Sequence, residues 1–264
     1  MSCTTRPFSW LQGAPLLAPW IVSHIPEHRV YVEPFAGSAA VLLAKEPSRT
    51  EVINDMNGDV VTFWRFLRDQ PDALIALLRR TPYARDEYRQ AKADVSAGEL
   101  PDLERARRFF VQCCMAFNAS TNRNVGFSAS AIKRTAKGAT FARRIDERLP
   151  QVAERIRRVE IENVDARRLI ERWRSPDTVL YLDPPYLAST RRTTRDYATE
   201  SNTDQFHTDM LAAVADFPGT VLISGYGGGP YNSLGWRCER RSVDVPTSNT
   251  AGERRTECLW VNRD

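Results

Sequence analysis

The chain has 264 residues, 42% of them hydrophobic and 27% charged, with a net charge of +4, the make-up of an ordinary soluble protein with one large domain or a domain carrying an insertion. No apolar run approaches the roughly 20 residues of a membrane span, and "MSCTTRPFSW" lacks the basic-then-apolar pattern of a secretory signal. The five cysteines, Cys3, Cys113, Cys114, Cys238 and Cys258, are odd in number and show no C-x-x-C spacing, so reduced thiols, a cytoplasmic location and no metal are expected.

"RVYVEPF" (Arg29 to Phe35) is a short β-branched and aromatic run ended by Pro34. It is followed by a small-residue turn and a helix over "AGSAAVLLAKEP" that stops before Pro47. "EVIND" (Glu51 to Asp55) is a second strand, and the two strands around one helix make a βαβ unit with a parallel sheet and a right-handed crossover. The alternation then stops for about 100 residues. "DVVTFWRFLRD", "PDALIALLRR", "ARDEYRQAKADVSA" and "PDLERARRFFVQCCMAF" read as helices, several with Pro or Asp near their starts. "NASTNRNVGFSASAIKRTAKGAT" has no apolar periodicity and reads as a loop, and "FARRIDERLPQVAERIRR" returns to helix with a kink expected at Pro150. Strands resume at "VEIEN", "TVLYLD", "GTVLISGY" and "TECLWVN", with helices "DARRLIERW" and "TDQFHTDMLAAVADF" between them. An α/β sheet interrupted by a helical insertion is the simplest account.

Charge follows the same division. Residues 60–158 hold 20 Lys and Arg against 11 Asp and Glu, a surplus of nine, whereas the rest holds 17 against 22. A basic block between acidic flanks favours a polyanion partner over a merely solvated helical surface.

Two stretches carry chemistry. In "VEPFAGSAAV" a glycine and small residues between strand and helix let a ligand approach the backbone. It is neither G-x-G-x-x-G nor a Walker loop. Asp55 falls 22 residues after Glu33, at the end of the next strand, where dinucleotide folds place the acid that holds ribose hydroxyls. Asp165 in "IENVDARRL" repeats the arrangement after the third strand. Either acid alone would also serve as a helix N-cap. In "VLYLDPPYLAST" two prolines fix φ and remove two donors, so no strand or helix continues through them. An acid and an aromatic ring are thereby held on a stiff corner at a strand end. The glycines of "SGYGGGPY" read as a loop after a strand, and His24, His28 and His207 are too scattered for a metal site or a triad.

Together, "YVEPFAGSAAV", the strand-end acid of "VIND", the long insertion and "LDPPY" resemble the Dam-like adenine-N6 DNA methyltransferases, over nearly the whole chain from "FSWLQG" to "ECLWVN". The resemblance implies a Rossmann-like methyltransferase sheet formed by residues 1–58 and 159–264, with residues 59–158 as a helical, basic target-recognition insertion. It implies S-adenosylmethionine lying over Glu33, Pro34, Phe35, Ala36, Gly37 and Ser38. Phe35 is then against the adenine, Asp55 on the ribose, Asp165 on the adenine amine, and Trp10 matches the aromatic of the N-terminal cofactor segment. Asp183, Pro184, Pro185 and Tyr186 become the catalytic corner, with Asp183 bordering the cofactor as well. The Asp183 carboxylate and the Pro184 carbonyl would accept from the two N–H bonds of a flipped-out adenine that stacks on Tyr186. Double-stranded DNA is the implied partner, with Arg123, Asn124, Lys133, Arg134 and Lys137 of the insertion and Arg191, Arg192 and Arg195 after the corner as phosphate contacts.

The implied protein is a cytoplasmic monomer or weak dimer on DNA in a bacterial or phage-infected cell. It serves as an orphan methylase or beside a separately encoded restriction endonuclease. One position departs from the family pattern: Ala14 stands in "WLQGA" where the family usually has lysine. That departure keeps open a catalytically impaired DNA-binding protein on the same fold, and the acid-Pro-Pro-aromatic corner keeps open a cytosine-N4 or RNA amino methyltransferase.

Overall fold

A computed structural model describes residues 7–8, 17–93, 100–117, 125–130, 136–185, 204–227, 230–244 and 254–263. Its centre is a seven-stranded sheet in the order β3-β2-β1-β4-β5-β7-β6. The strands are β1 (Val30–Glu33), β2 (Thr50–Asn54), β3 (Glu160–Glu162), β4 (Thr178–Leu182), β5 (Thr220–Tyr226), β6 (Arg237–Asp244) and β7 (Arg254–Val261). The first five are parallel, β7 runs antiparallel to β5, and β6 is antiparallel to β7 at the edge. β4 is buried at all five positions, as expected for a parallel strand covered on both faces.

Alternate side chains of each strand enter different cores. Tyr31, Ile53, Val179, Tyr181 and Leu222 join the larger one with Phe63, Trp64, Leu74, Phe110 and Val152. These come from α3 (Gly58–Asp69), α4 (Pro71–Arg79), α6 (Asp102–Met115) and α8 (Leu149–Ile156). Val32, Val52, Leu180, Leu182, Val221 and Ile223 join the second core, with Leu169 and Ile170 of α9 (Ala166–Arg172) and Met210 and Val214 of α10 (Asp204–Val214). The helical block is therefore continuous, through α3 and α8, with the sheet's own core.

A buried ion cluster adds to that continuity. Arg155 of α8 reaches Glu51 of β2 with two nitrogens, one at 2.9 Å, and donates to the Leu42 carbonyl at 2.8 Å. Lys45 donates to the same carboxylate at 2.6 Å and lies 4.6 Å above the Tyr31 ring. Burial pushes the Glu51 carboxyl upward, but the bonds from Arg155 and Lys45 outweigh it and hold the group below its ordinary value. Removing one partner of such a buried cluster typically costs about 3–5 kcal/mol.

Several elements differ from the sequence expectation. α2 spans only Ala40–Ala44, because Gly37 (φ 45°) and Ala39 (φ 49°) keep the preceding residues in a turn. Lys45 leaves the helix in extended conformation and turns in to Glu51. The helix expected around Pro150 is α7 (Lys137–Arg143), a π-helical turn (Arg144–Arg148) and then α8; a proline without an N–H cannot complete the regular ladder just before it. Lys137–Thr140, read as loop, is helical. Short α1 (Ala18–Val22) and the charged strand β6 were not expected. β6 is an edge strand whose pattern "RCERRSVD" carries little apolar alternation, because only one neighbour has to be satisfied. The strand expected over "GTVLISGY" is β5, which runs to Tyr226 as read. α5 (Arg85–Lys92) completes the helical block. The described cysteines are free thiols, and no described helix is long and apolar enough to cross a membrane.

Candidate active site

β2 and β3 lie on one side of β1, and β4 and β5 on the other. Open α/β sheets bind ligands at such a reversal, outside the carboxyl ends of the strands. Here the reversal falls between β1, which ends in Glu33, and β4, which leads into Asp183. The two stretches singled out in the sequence meet at this point.

The turn after β1 is clamped from below. Ala36 N–H donates to the Asn54 carbonyl at 2.8 Å, and Ala39 N–H to the Ala36 carbonyl at 2.6 Å. Trp64 Nε1–H of α3 donates to the Gly37 carbonyl at 3.0 Å, and Gly37 N–H donates to Asp55 Oδ2 at 3.0 Å. The positive φ of Gly37 is a conformation that side chains other than glycine resist. Asn54 ties three strand ends together. Its Nδ2 donates to the carbonyls of Pro34 and Val164 at 3.0 Å, and its Oδ1 accepts from Val164 N–H at 2.8 Å. Glu33 lies underneath, 2% exposed, accepting from Tyr31 O–H at 2.7 Å and from Leu42 N–H at 2.6 Å. It thus supplies from a neighbouring strand the cap that the start of α2 lacks. Burial pushes this carboxyl up to about 7 despite those two donors. Pro34, Ala36, Gly37 and Ser38 are also buried, and Phe35 is half-exposed, edge-on to Phe206 at 6.0 Å.

The two strand-end acids differ. Asp55 is half-buried and accepts two backbone N–H groups, Gly37 on Oδ2 and Asn57 on Oδ1 at 2.9 Å. Desolvation nevertheless raises it to about 6. The N-cap of α3 is Asn57, not Asp55. Asp165 is the N-cap of α9, accepting from Arg167 N–H at 2.8 Å. The Arg167 guanidinium also takes both of its oxygens, at 3.0 and 2.7 Å, and holds the carboxyl below its ordinary value.

At the end of β4, Asp183 is half-buried, Pro184 buried and Pro185 half-buried. Ser224 of β5 donates to Asp183 Oδ1 at 2.9 Å. Behind it, the Tyr181 hydroxyl is 3.0 Å from Ser224 Oγ. Tyr231, in the short 3₁₀ turn Pro230–Leu234, forms a 2.5 Å hydrogen bond with Nδ1 of His207 on α10. Its hydroxyl is raised by burial first and then by the negative charge of Asp183. Sequence reasoning missed Ser224, Tyr181 and Asn54. For Ser224 the available signal was a small polar residue after the apolar run of "TVLIS"; Tyr181 and Asn54 carried none.

The structure thus brings together Glu33 to Ser38, Asp55, Asp165, Asp183, Pro184 and Pro185. Trp10, Ala14, Tyr186, Arg123, Asn124, Lys133, Arg134, Arg191, Arg192 and Arg195 lie outside the described residues. Lys137 opens α7, its N–H donating to Ser130 Oγ at 3.0 Å. Many arginines of the basic block are paired internally. Arg105 is bound to Asp59 and Asp102, Arg107 to Glu87 and Glu104, and Arg79 to Asp146. A different cationic surface appears on α5, where Arg85, Tyr88, Arg89 and Lys92 line an open cleft of about 380 Å³ with Phe127. Arg85 stacks 5.1 Å from the Phe127 ring and Lys92 5.1 Å from the Tyr88 ring.

Comparison with known proteins agrees with this geometry. The chain is 26% identical over 193 residues to a type II methyltransferase of Lactococcus lactis subsp. cremoris, covering 69% of this chain and 66% of the relative, just under two thirds of its length. It is 27% identical over 211 residues to a DNA adenine methylase of Vibrio cholerae, covering 78% of this chain and 73% of that protein. A DNA N-6-adenine-methyltransferase of Escherichia phage P1 is 28% identical over 120 residues, 44% of this chain and 16% of the phage protein. The family model of the D12 class N6 adenine-specific DNA methyltransferases matches residues 15–227. That match runs from before α1 to the end of β5 and takes in the clamped turn, both strand-end acids and the proline corner; the chain belongs to this family.

Proposed function

We propose that the crevice between β1 and β4 transfers a methyl group to the N6 amine of adenine in double-stranded DNA, with Asp183 and the Pro184 carbonyl as the groups that meet the amine. The observation that carries this reading is the convergence, at one sheet reversal, of a glycine turn backed by Asp55 with a carboxylate whose rotation Ser224 holds. The residues fit an S-adenosylmethionine-type donor. Asp55 keeps lone pairs beyond its two backbone donors for a ribose diol, and the half-exposed Phe35 offers a ring face to an adenine. Such a donor supplies an electrophilic methyl group on a sulfonium. Glu33 is buried and braces the start of the helix after the turn, and Ser38 is buried within the turn itself. Asp165 reaches an adenine amine only through the lone pairs that Arg167 leaves.

The exocyclic amine is a weak nucleophile because its lone pair is delocalised into the ring. Acceptors on both N–H bonds favour the pyramidal nitrogen that attacks, and a carboxylate fixed beforehand stabilises the positive charge that develops there. In-line positioning supplies much of the remaining acceleration. The amine lies inside the duplex, so the base has to leave the stack, and Tyr186 follows the corner as the ring to receive it. Duplex phosphates are met by the α5 cleft and by Lys137, together with Arg123, Asn124, Lys133, Arg134, Arg191, Arg192 and Arg195. A monomer or weak dimer working in the cytoplasm, with or without a restriction partner, fits this reading.

Labelled donor incubated with unmethylated genomic DNA, followed by nucleoside analysis, tests the proposal. N6-methyladenine is the expected product, and N4-methylcytosine or no product overturns the reading. Asp183→Ala is expected to lower turnover by about 10²–10³ or more while donor binding persists. Near wild-type turnover in that variant removes Asp183 from the role.

A further inference from the structure

We propose that Tyr181 and Ser224 form a directed hydrogen-bond relay that fixes the rotation and the ionised state of Asp183, making Ser224 a positioning residue for methyl transfer. The inference rests on the catalytic reading of Asp183 given above. β4 and β5 are parallel with Leu182 opposite Ile223, so Asp183 and Ser224 are the next residues of two adjacent strands. Ser224 Oγ is 2.9 Å from Asp183 Oδ1, 3.0 Å from Tyr181 OH and 3.4 Å from the Leu182 carbonyl.

A serine hydroxyl has one hydrogen, and an ionised carboxylate only accepts. Ser224 therefore donates to Asp183, and Tyr181 must donate to Ser224. Both hydroxyls are buried, Ser224 at 5% and Tyr181 at 4% exposure. Buried hydroxyls cost free energy unless bonded, so simple strand packing would favour apolar residues at both positions. Here Ser224 bonds the carboxylate and Tyr181 bonds Ser224. Donors in line strengthen one another in a low-dielectric setting, and a donor to the charged form favours that form.

Several titratable groups face this unit among the described residues. Glu33 comes from β1, Tyr231 from the turn after β5 with His207 of α10 behind it, and Glu257 of β7 acts on Tyr181. Tyr181 is raised well above its ordinary value by burial first and by Asp183 second, so it keeps its proton and remains a donor.

The test is steady-state methylation of unmethylated genomic DNA by wild type, Ser224→Ala, Ser224→Thr, Tyr181→Phe and Asp183→Ala. Ser224→Ala is expected to lower kcat by about 10–100-fold, with KM for donor and DNA within about twofold of wild type. The acid limb of its kcat–pH profile should move upward, because a donor to the charged form is lost. Ser224→Thr, which keeps the hydroxyl, should restore most of the rate. Tyr181→Phe should lose less, and adding it to Ser224→Ala should cost nothing further, because the two act as one unit. A readout independent of turnover is thermal unfolding against pH. The pH-dependent part of the Ser224→Ala destabilisation should vanish in an Asp183→Asn background. Wild-type kcat and an unmoved pH profile in Ser224→Ala overturn the relay, as does a rate loss that merely follows a lowered Tm. If Asp183→Ala is inactive while Ser224→Ala is unaffected, only the relay fails. If Asp183→Ala turns over normally, the catalytic reading fails first.

Discussion

The ends of β2 and β3 present the same residue in the same place and put it to different uses. Asp55 and Asp165 each follow a parallel strand on the same side of β1, and each comes shortly before a helix. Asp55 is drawn into the clamped turn, where desolvation lifts it to about 6 in spite of two backbone donors. Asp165 stays near the surface, caps its own helix, and is closed by an arginine two residues on that also reaches Asp209 at 3.1 Å. A carboxylate that is desolvated and short of cations has interaction energy available for a ligand's hydroxyls. One already satisfied by a cap and a guanidinium has little left. Occupying a strand end is therefore not enough to make an acid a ligand group; its other partners decide.

The comparison is broken most directly by removing Asp55. Asp55→Ala should weaken donor binding by about 2–3 kcal/mol, roughly 30–150-fold, the loss typical of hydrogen bonds to a charged group. Unchanged affinity by calorimetry would move the ribose elsewhere.

A pH series sharpens the same point without a mutation. Asp55 binds hydroxyls best when ionised, so donor affinity should fall as pH drops through about 6, and binding should release protons at and just below that pH. The stability of the unliganded protein should run the other way. Because the folded value is raised above the unfolded 3.8, the native state holds the extra proton between them. Stability is then highest at the acid end of this window and declines as pH rises toward about 6. Glu33, raised from 4.5 to about 7, extends the same slope, and Glu33→Gln should flatten it by on the order of 3 kcal/mol at neutral pH. Affinity that stays flat from pH 5 to 8 would contradict the assignment of Asp55.

Asp165→Ala should act mainly on stability, costing about 1 kcal/mol through the lost cap, with donor affinity changed only a few-fold; a loss as large as that of Asp55→Ala would erase the distinction between the two acids. The smallest effect is expected from Arg167→Ala. It releases the Asp165 oxygens and leaves the cap, so stability should change by about 0.5 kcal/mol or less, as for an exposed pair. Donor binding should tighten slightly if Asp165 contacts the adenine and stay constant if it does not. Calorimetry on the variant distinguishes the two.

Much of this was legible in order along the chain. The βαβ unit, the turn in "VEPFAGSAAV", the two acids and the proline corner all appear where strand-ending signals put them, because periodicity and proline act locally. What was hidden depends on contacts between distant segments. Ser224 sits 41 residues from Asp183, and Asn54 is 110 residues from Val164. Glu33 reads as a cofactor residue but lies buried, acting as a cap for α2. The basic surplus of residues 60–158 was visible as a count. Its distribution was not, since Arg105, Arg107 and Arg155 are consumed by internal carboxylates while Arg85 and Lys92 rest on aromatic rings at an open cleft. β6 escaped notice because an exposed edge strand needs no hydrophobic alternation.

The sequence by itself determined which strands could be buried, where they had to stop, and that an acid followed by two prolines would stand rigidly at one strand end. These follow from side-chain period, β-branching and the missing N–H of proline, all properties of neighbours in the chain. The tertiary structure alone decided that β4 returns beside β1 and so opens the crevice between the glycine turn and Asp183. It also decided that Ser224 would orient that carboxylate, and that Asp55 and Asp165 would have different proton affinities. Burial and hydrogen-bond partners set those outcomes, and both are assembled from residues that the chain keeps far apart until it folds.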